Sequence, residues 1–191
     1  RSSEAAYPIL AGRAPEQEKL RGWLARALAG RRQIVFVTGE TGAGKTALVD
    51  AFLAEDCAWA DESLWIGFGQ CLDQRGLQEP YMPVLEAFGR LCRGVGGSRL
   101  VALLRRHAPG WLMEMPDLLT AADRRVLVEQ AGSMARTGML RSMTEAIDAI
   151  TAAHPLVLVL EDLHWADPST IDLVWAVAQR RDPARLLLVA T

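Results

Sequence analysis

The sequence predicts an α/β fold, a three-layer sandwich in which helices cover both faces of a parallel β-sheet. Two observations support this prediction. Short, continuous apolar runs such as residues 156–160 (LVLVL) are typical of strands buried on both faces of a parallel sheet. Segments with helical spacing of apolar residues separate these runs, and such alternation favours right-handed crossovers within one sheet. A chain of 191 residues suits one domain of this kind, at roughly 100–200 residues per domain.

The individual elements follow from hydrophobic periodicity and from helix start signals. Pro15 and the acidic residues after it mark the start of the first helix, and Asp167-Pro168 is a strong N-cap and first-turn pair for a later one. The functional alternative places Asp167 close to the nucleotide. The predicted elements are a helix at 15–30, a strand at 34–37, a helix at 45–55, strands at 64–69 and 156–160, a helix from 168 to about 180, and a strand at 186–190.

Residues 78–154 separate the second and third predicted strands and carry no strand signal. Their apolar spacing is helical, with breaks near 94–97, 109–110 and Pro116. The segment is too long for a single crossover. We therefore expect a helical insert that packs beside the sheet, within one domain that spans residues 1–191.

A glycine-rich loop lies between the first predicted strand and the helix that follows it. Residues 39–46 (GETGAGKT) fit the pattern G-x-x-x-x-G-K-[ST] of a phosphate-binding loop. Glycines let the backbone N–H groups turn inward around an anion, and the helix start adds unpaired N–H groups and the positive end of its dipole. The alternative is a strand–turn–helix connector that needs glycines only for a sharp turn.

This motif predicts binding of ATP or ADP together with Mg²⁺. Lys45 would reach the β- and γ-phosphates, and the Thr46 hydroxyl would ligate the metal. The residues predicted to bind the nucleotide here are Gly39, Glu40, Thr41, Gly42, Ala43, Gly44, Lys45, Thr46 and Ala47.

An acidic pair, Glu161-Asp162, ends the third predicted strand. A carboxylate at the end of a buried strand is costly unless it meets polar partners, and this end of a parallel sheet faces the ligand crevice. Successive side chains point in different directions, so we expect Glu161 nearer the metal and Asp162 nearer the attacking water. Lys45, Glu161 and Asp162 are the predicted catalytic residues, and Thr46, Glu161 and Asp162 the predicted metal ligands. The alternative is an N-cap or surface carboxylate.

Composition restricts the partners. The net charge of −2 brings no basic bias, so a large nucleic-acid footprint on this segment is not expected. No apolar stretch reaches 18 residues, so no membrane span is expected. The three cysteines fit neither a disulfide framework nor a zinc site, and we expect them to be small buried hydrophobes in a reducing, cytoplasmic compartment.

Taken together, the residues resemble the AAA-type ATPase module (AAA/ASCE class, Orc1-like) of the STAND signal-transduction ATPases, which occur in bacterial multidomain transcriptional regulators. The resemblance is carried by the phosphate loop, by LVLVLEDLHWAD at 156–167, by the strand that ends at Thr191, and by an N-terminal box with Gly12-Arg13. It implies a P-loop NTPase fold, a regulatory ATP-hydrolysing switch, and contacts with other domains of a larger chain, with self-association as a further option.

By the same resemblance, Gly12 and Arg13 would lie against the adenine. Thr191 ends the fourth predicted strand on the crevice side, where a polar residue could sense the γ-phosphate. From the residues alone, Gly12-Arg13 could equally be an ordinary loop. The family usually has Asp-Glu where this chain has Glu161-Asp162, which leaves the choice of base open. The resemblance also implies a helical lid beyond Thr191, so we expect an excised fragment with slow or no turnover.

Two other functions use the same motifs. A nucleotide-binding interaction scaffold would hold ATP without hydrolysing it. A small-molecule kinase would need a lid rich in arginine, whereas the arginines of the insert are spread over several helices and the acidic strand does not suit a kinase.

Overall fold

The structure, a computed structural model, describes residues 12–57, 63–73, 79–125 and 136–191. Its four strands form one parallel sheet in the order β1–β4–β3–β2, which confirms the predicted α/β class. Each predicted strand is found within one residue of its expected bounds. The strands are β1 (Gln33–Phe36), β2 (Trp65–Gln70), β3 (Leu156–Glu161) and β4 (Leu186–Ala190).

The described helices also lie close to their predicted positions. The main difference is the helix after the glycine-rich loop, which ends at Phe52 and continues as one wider π-helical turn at Leu53–Cys57. The helices are α1 (Ala14–Leu28), α2 (Lys45–Phe52), α3 (Met82–Arg93), α4 (Gly97–His107), α5 (Pro109–Met113), α6 (Arg136–Ala153) and α7 (Pro168–Gln179), with short 3-10 turns at Pro116–Leu118 and Leu163–Trp165.

Both faces of the sheet are buried, each by different helices. In β3 the leucines Leu156, Leu158 and Leu160 pack into a core with α3–α7, whereas Val157 and Val159 pack into a second core with α1 and α2. β4 divides its side chains between the same two cores. Burial on both faces explains why these strands are apolar at every position rather than at alternate ones.

Helices α3–α6 lie between β2 and β3 in the chain and extend the core on the leucine side of the sheet. Trp111 is fully buried there, and its indole N–H donates to the Met139 carbonyl oxygen at 2.9 Å. The ring of Tyr81 packs against the Trp111 ring with centroids 4.8 Å apart. Among the described residues, no helix is both long enough and apolar enough to cross a membrane.

Helix α3 lies unusually close to β2 because β2 has a glycine at the contact. A Cβ atom built on Gly69 would lie 1.8 Å from the carbonyl oxygen of Pro83, in the first turn of α3. That distance is far below any van der Waals contact, and the colliding atom belongs to backbone. Gly69 therefore sets how near α3 can approach the carboxyl end of β2.

We expect Gly69→Ala to lower the free energy of unfolding by about 1–3 kcal/mol or more, since an added methyl group must push the backbone of α3 away from the sheet. Chemical denaturation measures the effect. Gly22→Ala is the matched control, because no described atom outside its own stretch of α1 backbone lies within 4 Å of the corresponding Cβ position, and alanine favours a helix by up to about 1 kcal/mol. Equal stability of Gly69→Ala and the wild type would contradict the close approach.

Candidate functional site

The carboxyl ends of all four strands meet at one edge of the sheet, because the strands are parallel. The glycine-rich loop at 39–46 follows β1 at this edge, and Gln70 ends β2. Glu161 ends β3, and Thr191 follows β4. The topology therefore brings the loop and the acidic strand, more than a hundred residues apart in sequence, to one side of the molecule.

The loop has the backbone conformation that an anion nest requires. Gly42 and Gly44 have φ angles of +81° and +77°, a left-handed conformation that residues with a Cβ rarely adopt. Gly44 immediately precedes α2, and its carbonyl oxygen accepts the N–H of Leu48 at 2.9 Å as the first helical hydrogen bond. Left-handed positions alternating with ordinary ones turn successive N–H groups to the same side, next to the free N–H groups of the helix start.

Lys45 is folded back over this loop. Its Nζ donates to the carbonyl oxygens of Gly39 at 2.9 Å and Glu40 at 3.1 Å. The ammonium is therefore held beside the same turn whose N–H groups form the nest. A cation and a set of converging N–H groups within one loop are the donors that a polyphosphate needs.

Glu161 is buried, only 5 % exposed, and its Oε1 has no hydrogen-bond partner among the described residues. Burial raises the pKa of this carboxyl group; a hydrogen bond with the Thr46 side chain opposes the rise, and the carboxylates of Asp50 and Asp162 add to it. The strand end and the start of α2 thus bring a carboxylate and a hydroxyl together. Hard oxygen donors of this kind fit Mg²⁺, which takes few protein ligands and keeps the rest for water and phosphate.

Asp162 has different surroundings. Its backbone is left-handed, with φ +55°, which turns the chain sharply after Glu161. Its N–H donates to the Thr191 hydroxyl oxygen at 3.1 Å, and its Oδ2 accepts a long hydrogen bond of 3.4 Å from the side-chain amide of Gln70. Glu161 therefore lies by Thr46 on α2, while Asp162 lies between the ends of β2 and β4.

Asp167 is a buried N-cap, as the sequence predicted. Its Oδ1 accepts the N–H groups of Ser169 and Thr170 at 2.9 and 3.0 Å, in the first turn of α7. Its Oδ2 accepts the Thr170 hydroxyl and also the N–H of Tyr81, at 3.1 Å. Tyr81 is the left-handed residue, φ +65°, that immediately precedes α3. One carboxylate therefore caps α7 and fixes the start of α3.

Arg13 lies against the phosphate loop. Its Nη2 donates to the carbonyl oxygen of Ala43 at 2.8 Å, and its Nη1 pairs with Glu16 at 3.3 Å. Gly12, with φ +89°, turns the chain into α1. The contact made by this segment is with the backbone of the loop. The residues before Gly12 that belong to the N-terminal box lie outside the described residues.

The three cysteines are free and buried, as predicted. Burial raises the pKa of Cys57 to about 12 and the pKa values of Cys71 and Cys92 to about 11. At neutral pH thiols with such pKa values are protonated, and a protonated thiol is a weak nucleophile. No group of three or more His, Cys, Asp or Glu side chains in the described ranges could hold a metal ion by itself.

Sequence reasoning missed two polar residues of this site, Gln70 and Asp50. Gln70 pairs in register with Glu161 across the β2–β3 ladder. The signal in the sequence that could have identified it is a polar residue at the end of an apolar strand. Asp50 lies one helical turn after Thr46 on α2, which places both on the same face of the helix.

Comparison with known proteins agrees with this geometry. The family model described as "AAA ATPase domain" matches residues 9–189. An uncharacterised protein of Rhizobium meliloti (strain 1021), R02095, is 27% identical over 173 residues. That alignment covers 86% of this chain but 16% of the relative, so the chain spans about a sixth of the length of that protein. The match across nearly the whole chain, together with the phosphate loop and acidic strand, shows that the chain belongs to the AAA ATPase domain family.

Proposed function

We propose that this domain binds ATP with Mg²⁺ and hydrolyses it slowly, as a cytoplasmic regulatory switch within a larger bacterial signalling or transcription-regulator protein. One observation carries the proposal: the carboxylate of Glu161 is buried beside Thr46, at the start of the helix that follows the phosphate loop, and one of its oxygens has no hydrogen-bond partner within the described ranges. The much greater length of the relative supports a role among other domains, which would be its partners.

The phosphates of the nucleotide would lie in the nest formed by residues 39–46, against the N-terminus of α2, where Ala47 adds a further N–H. Lys45 would exchange the carbonyl oxygens of Gly39 and Glu40 for β- and γ-phosphate oxygens. This exchange is favourable because a doubly charged phosphate is a stronger partner for an ammonium group than a neutral carbonyl.

Thr46 and Glu161 would hold the magnesium ion. Bound there, the ion would supply positive charge to offset the negative charge that develops during phosphoryl transfer. Asp162 would orient the attacking water and accept its proton. The hydrogen bonds from Gln70 to the Asp162 carboxylate and from the Asp162 N–H to Thr191 would fix the direction of that carboxylate.

The second candidate function is a nucleotide-binding scaffold without turnover. The observation in its favour is the same hydrogen bond from Gln70 to Oδ2 of Asp162, at 3.4 Å. While the amide occupies that oxygen, it competes with a water molecule for the carboxylate. Nucleotide would then be held by the loop and Glu161, and the output would be binding to neighbouring domains rather than a hydrolytic cycle.

Lys45→Ala is expected to weaken ATP binding by about 10- to 100-fold, since a charge-assisted hydrogen bond contributes roughly 1.5–3 kcal/mol. Titration calorimetry with Mg·ATP measures the change. Lys19→Ala is the matched control, because Lys19 is the chain's only other lysine and is exposed on α1. An unchanged affinity in the Lys45 variant would overturn the proposed nucleotide site.

Asp162→Asn is expected to slow phosphate release in a single-turnover assay by about 10²-fold or more, because the amide cannot accept a proton from water. Its ATP affinity should stay near that of the wild type. Asp172→Asn, an exposed position on α7, serves as the control. A wild-type chain that releases no more phosphate than the Asp162 variant would favour the scaffold over the hydrolytic switch.

Glu161→Gln is expected to raise the melting temperature of the nucleotide-free protein at neutral pH. A carboxyl group whose pKa is higher in the folded than in the unfolded state makes the fold less stable as pH rises through the interval between those two values. The neutral amide lacks this penalty, so the two melting temperatures should converge as the pH falls below the ordinary carboxyl range.

Thermal denaturation between about pH 4, near the ordinary pKa of a carboxyl group, and about pH 8 measures the difference between the two melting temperatures. The exposed Glu79→Gln variant should follow the wild type. Mg·ATP should reverse the ranking, because the metal compensates the Glu161 charge only in the wild type. A Glu161→Gln variant that is less stable than the wild type at neutral pH without nucleotide would contradict the penalty.

A further inference from the structure

We propose that Arg13 is a positioning residue of the phosphate loop: it holds the peptide between Ala43 and Gly44 so that the Gly44 N–H faces the phosphates. The resemblance implied that this residue lies against the adenine. In the structure its guanidinium contacts the loop backbone, through the 2.8 Å hydrogen bond from Nη2 to the Ala43 carbonyl oxygen. This inference rests on the proposed binding of a polyphosphate.

The geometry of the peptide bond connects the two atoms. A trans peptide is a rigid plane in which the C=O of one residue and the N–H of the next point in opposite directions. No cis peptide is found in the described part of the chain. A hydrogen bond that draws the Ala43 carbonyl toward Arg13 therefore directs the Gly44 N–H away from Arg13.

The loop contains little else that would hold this peptide. Gly42 and Gly44 are both left-handed, and apart from each glycine and its two chain neighbours no described atom lies within 4 Å of the Cβ position built on either one. A peptide flanked by glycine rotates easily, because no side chain restricts it. Within the loop, the Ala43 N–H does bond to the Glu40 carbonyl oxygen at 3.1 Å, but that bond fixes the preceding peptide. The Arg13 hydrogen bond is thus the contact that acts on the Ala43 carbonyl itself.

Arg13 is itself held by Glu16, and the helix that follows it is held by a second set of contacts. Its Nη1 pairs with Glu16 one turn later in α1, at 3.3 Å. Further along the same helix, Arg21 donates to the buried Asp56 at 2.6 Å and pairs with Glu55 at 3.4 Å, in the turn that follows α2. Helix α1 is therefore connected to both ends of the loop–α2 segment, so the position of the guanidinium relative to the loop is determined by the docking of α1.

The test compares the binding of Mg·ATP and of inorganic tripolyphosphate with magnesium, each by titration calorimetry on the whole chain. Arg13→Ala should weaken both ligands by the same factor, about tenfold, because the loss concerns the phosphate nest and not the base. Glu16→Gln should change both affinities in the same direction by less. Arg26→Ala is the matched control, since Arg26 is exposed on the last turn of α1.

A second readout concerns the loop without ligand. The amide signal of Gly44 in nuclear magnetic resonance should broaden in Arg13→Ala through exchange between peptide orientations, and should stay sharp in Arg26→Ala. A general loss of folding would broaden signals throughout the protein, so an effect confined to the loop separates positioning from instability.

Two results would overturn the inference. In one, Arg13→Ala weakens ATP but leaves tripolyphosphate unchanged, which would indicate a contact with the base. In the other, both affinities and the Gly44 signal match the wild type. A wild-type chain that binds neither ligand would instead refute the proposed function, and the Gly44 signal would still show whether Arg13 orders the loop.

Discussion

Parallel pairing of the four strands is the constraint on which the candidate site depends. Parallel strands all end at the same edge, so the loop after β1 and the carboxylates after β3 meet although β4 lies between their strands. The crossovers that parallel pairing requires put helices on both faces of the sheet. Those helices bury β3 and β4 at every position, and Glu161 then lies at the end of a strand with almost no access to bulk water.

The cost of burying that carboxylate distinguishes the site from an ordinary strand end. An isolated buried charge is unfavourable, and one oxygen of Glu161 has no hydrogen-bond partner in the part of the chain that the structure describes. The Thr46 hydroxyl offsets part of the cost, whereas Asp50 and Asp162 add negative charge around it. A divalent cation would satisfy all of these groups at once. In this view the site is less stable by itself than with metal and nucleotide, which is the property that a ligand-controlled domain needs.

The elements were predictable from sequence because they depend on local signals. Continuous apolar runs fixed the strands, and Asp167-Pro168 fixed the start of α7, since burial on two faces and capping leave clear patterns. The phosphate loop at residues 39–46 was predictable from its motif, because its glycines permit the left-handed backbone that the loop requires. Each of these features concerns residues close together in the chain.

The contacts that join distant segments were not predictable in this way. The hydrogen bond from Arg13 to Ala43 depends on where α1 packs against the sheet, and the one from Gln70 to Asp162 depends on the place of β2 within the sheet. Hydrophobic periodicity predicts neither position. The proximity of α3 to β2 was equally hidden, because a glycine such as Gly69 in a strand indicates some close approach without naming the partner. Gln70 is a polar residue at the end of an apolar strand, but only the β2–β3 register shows that it lies beside Glu161.

The carboxylate of Asp167 has a consequence for how the chain folds. It receives the N–H of Tyr81 from a position 86 residues away, and it also completes the first turn of α7. A helix cap is usually satisfied by its own neighbours and forms early. Here one of the four hydrogen bonds that the carboxylate accepts, the one from the Tyr81 N–H, joins α7 to a segment on the far side of the helices α3–α6 and β3 in the chain. Closing so long a loop is slow, so we expect the final ordering of α7 and the docking of α3 to share one late folding step.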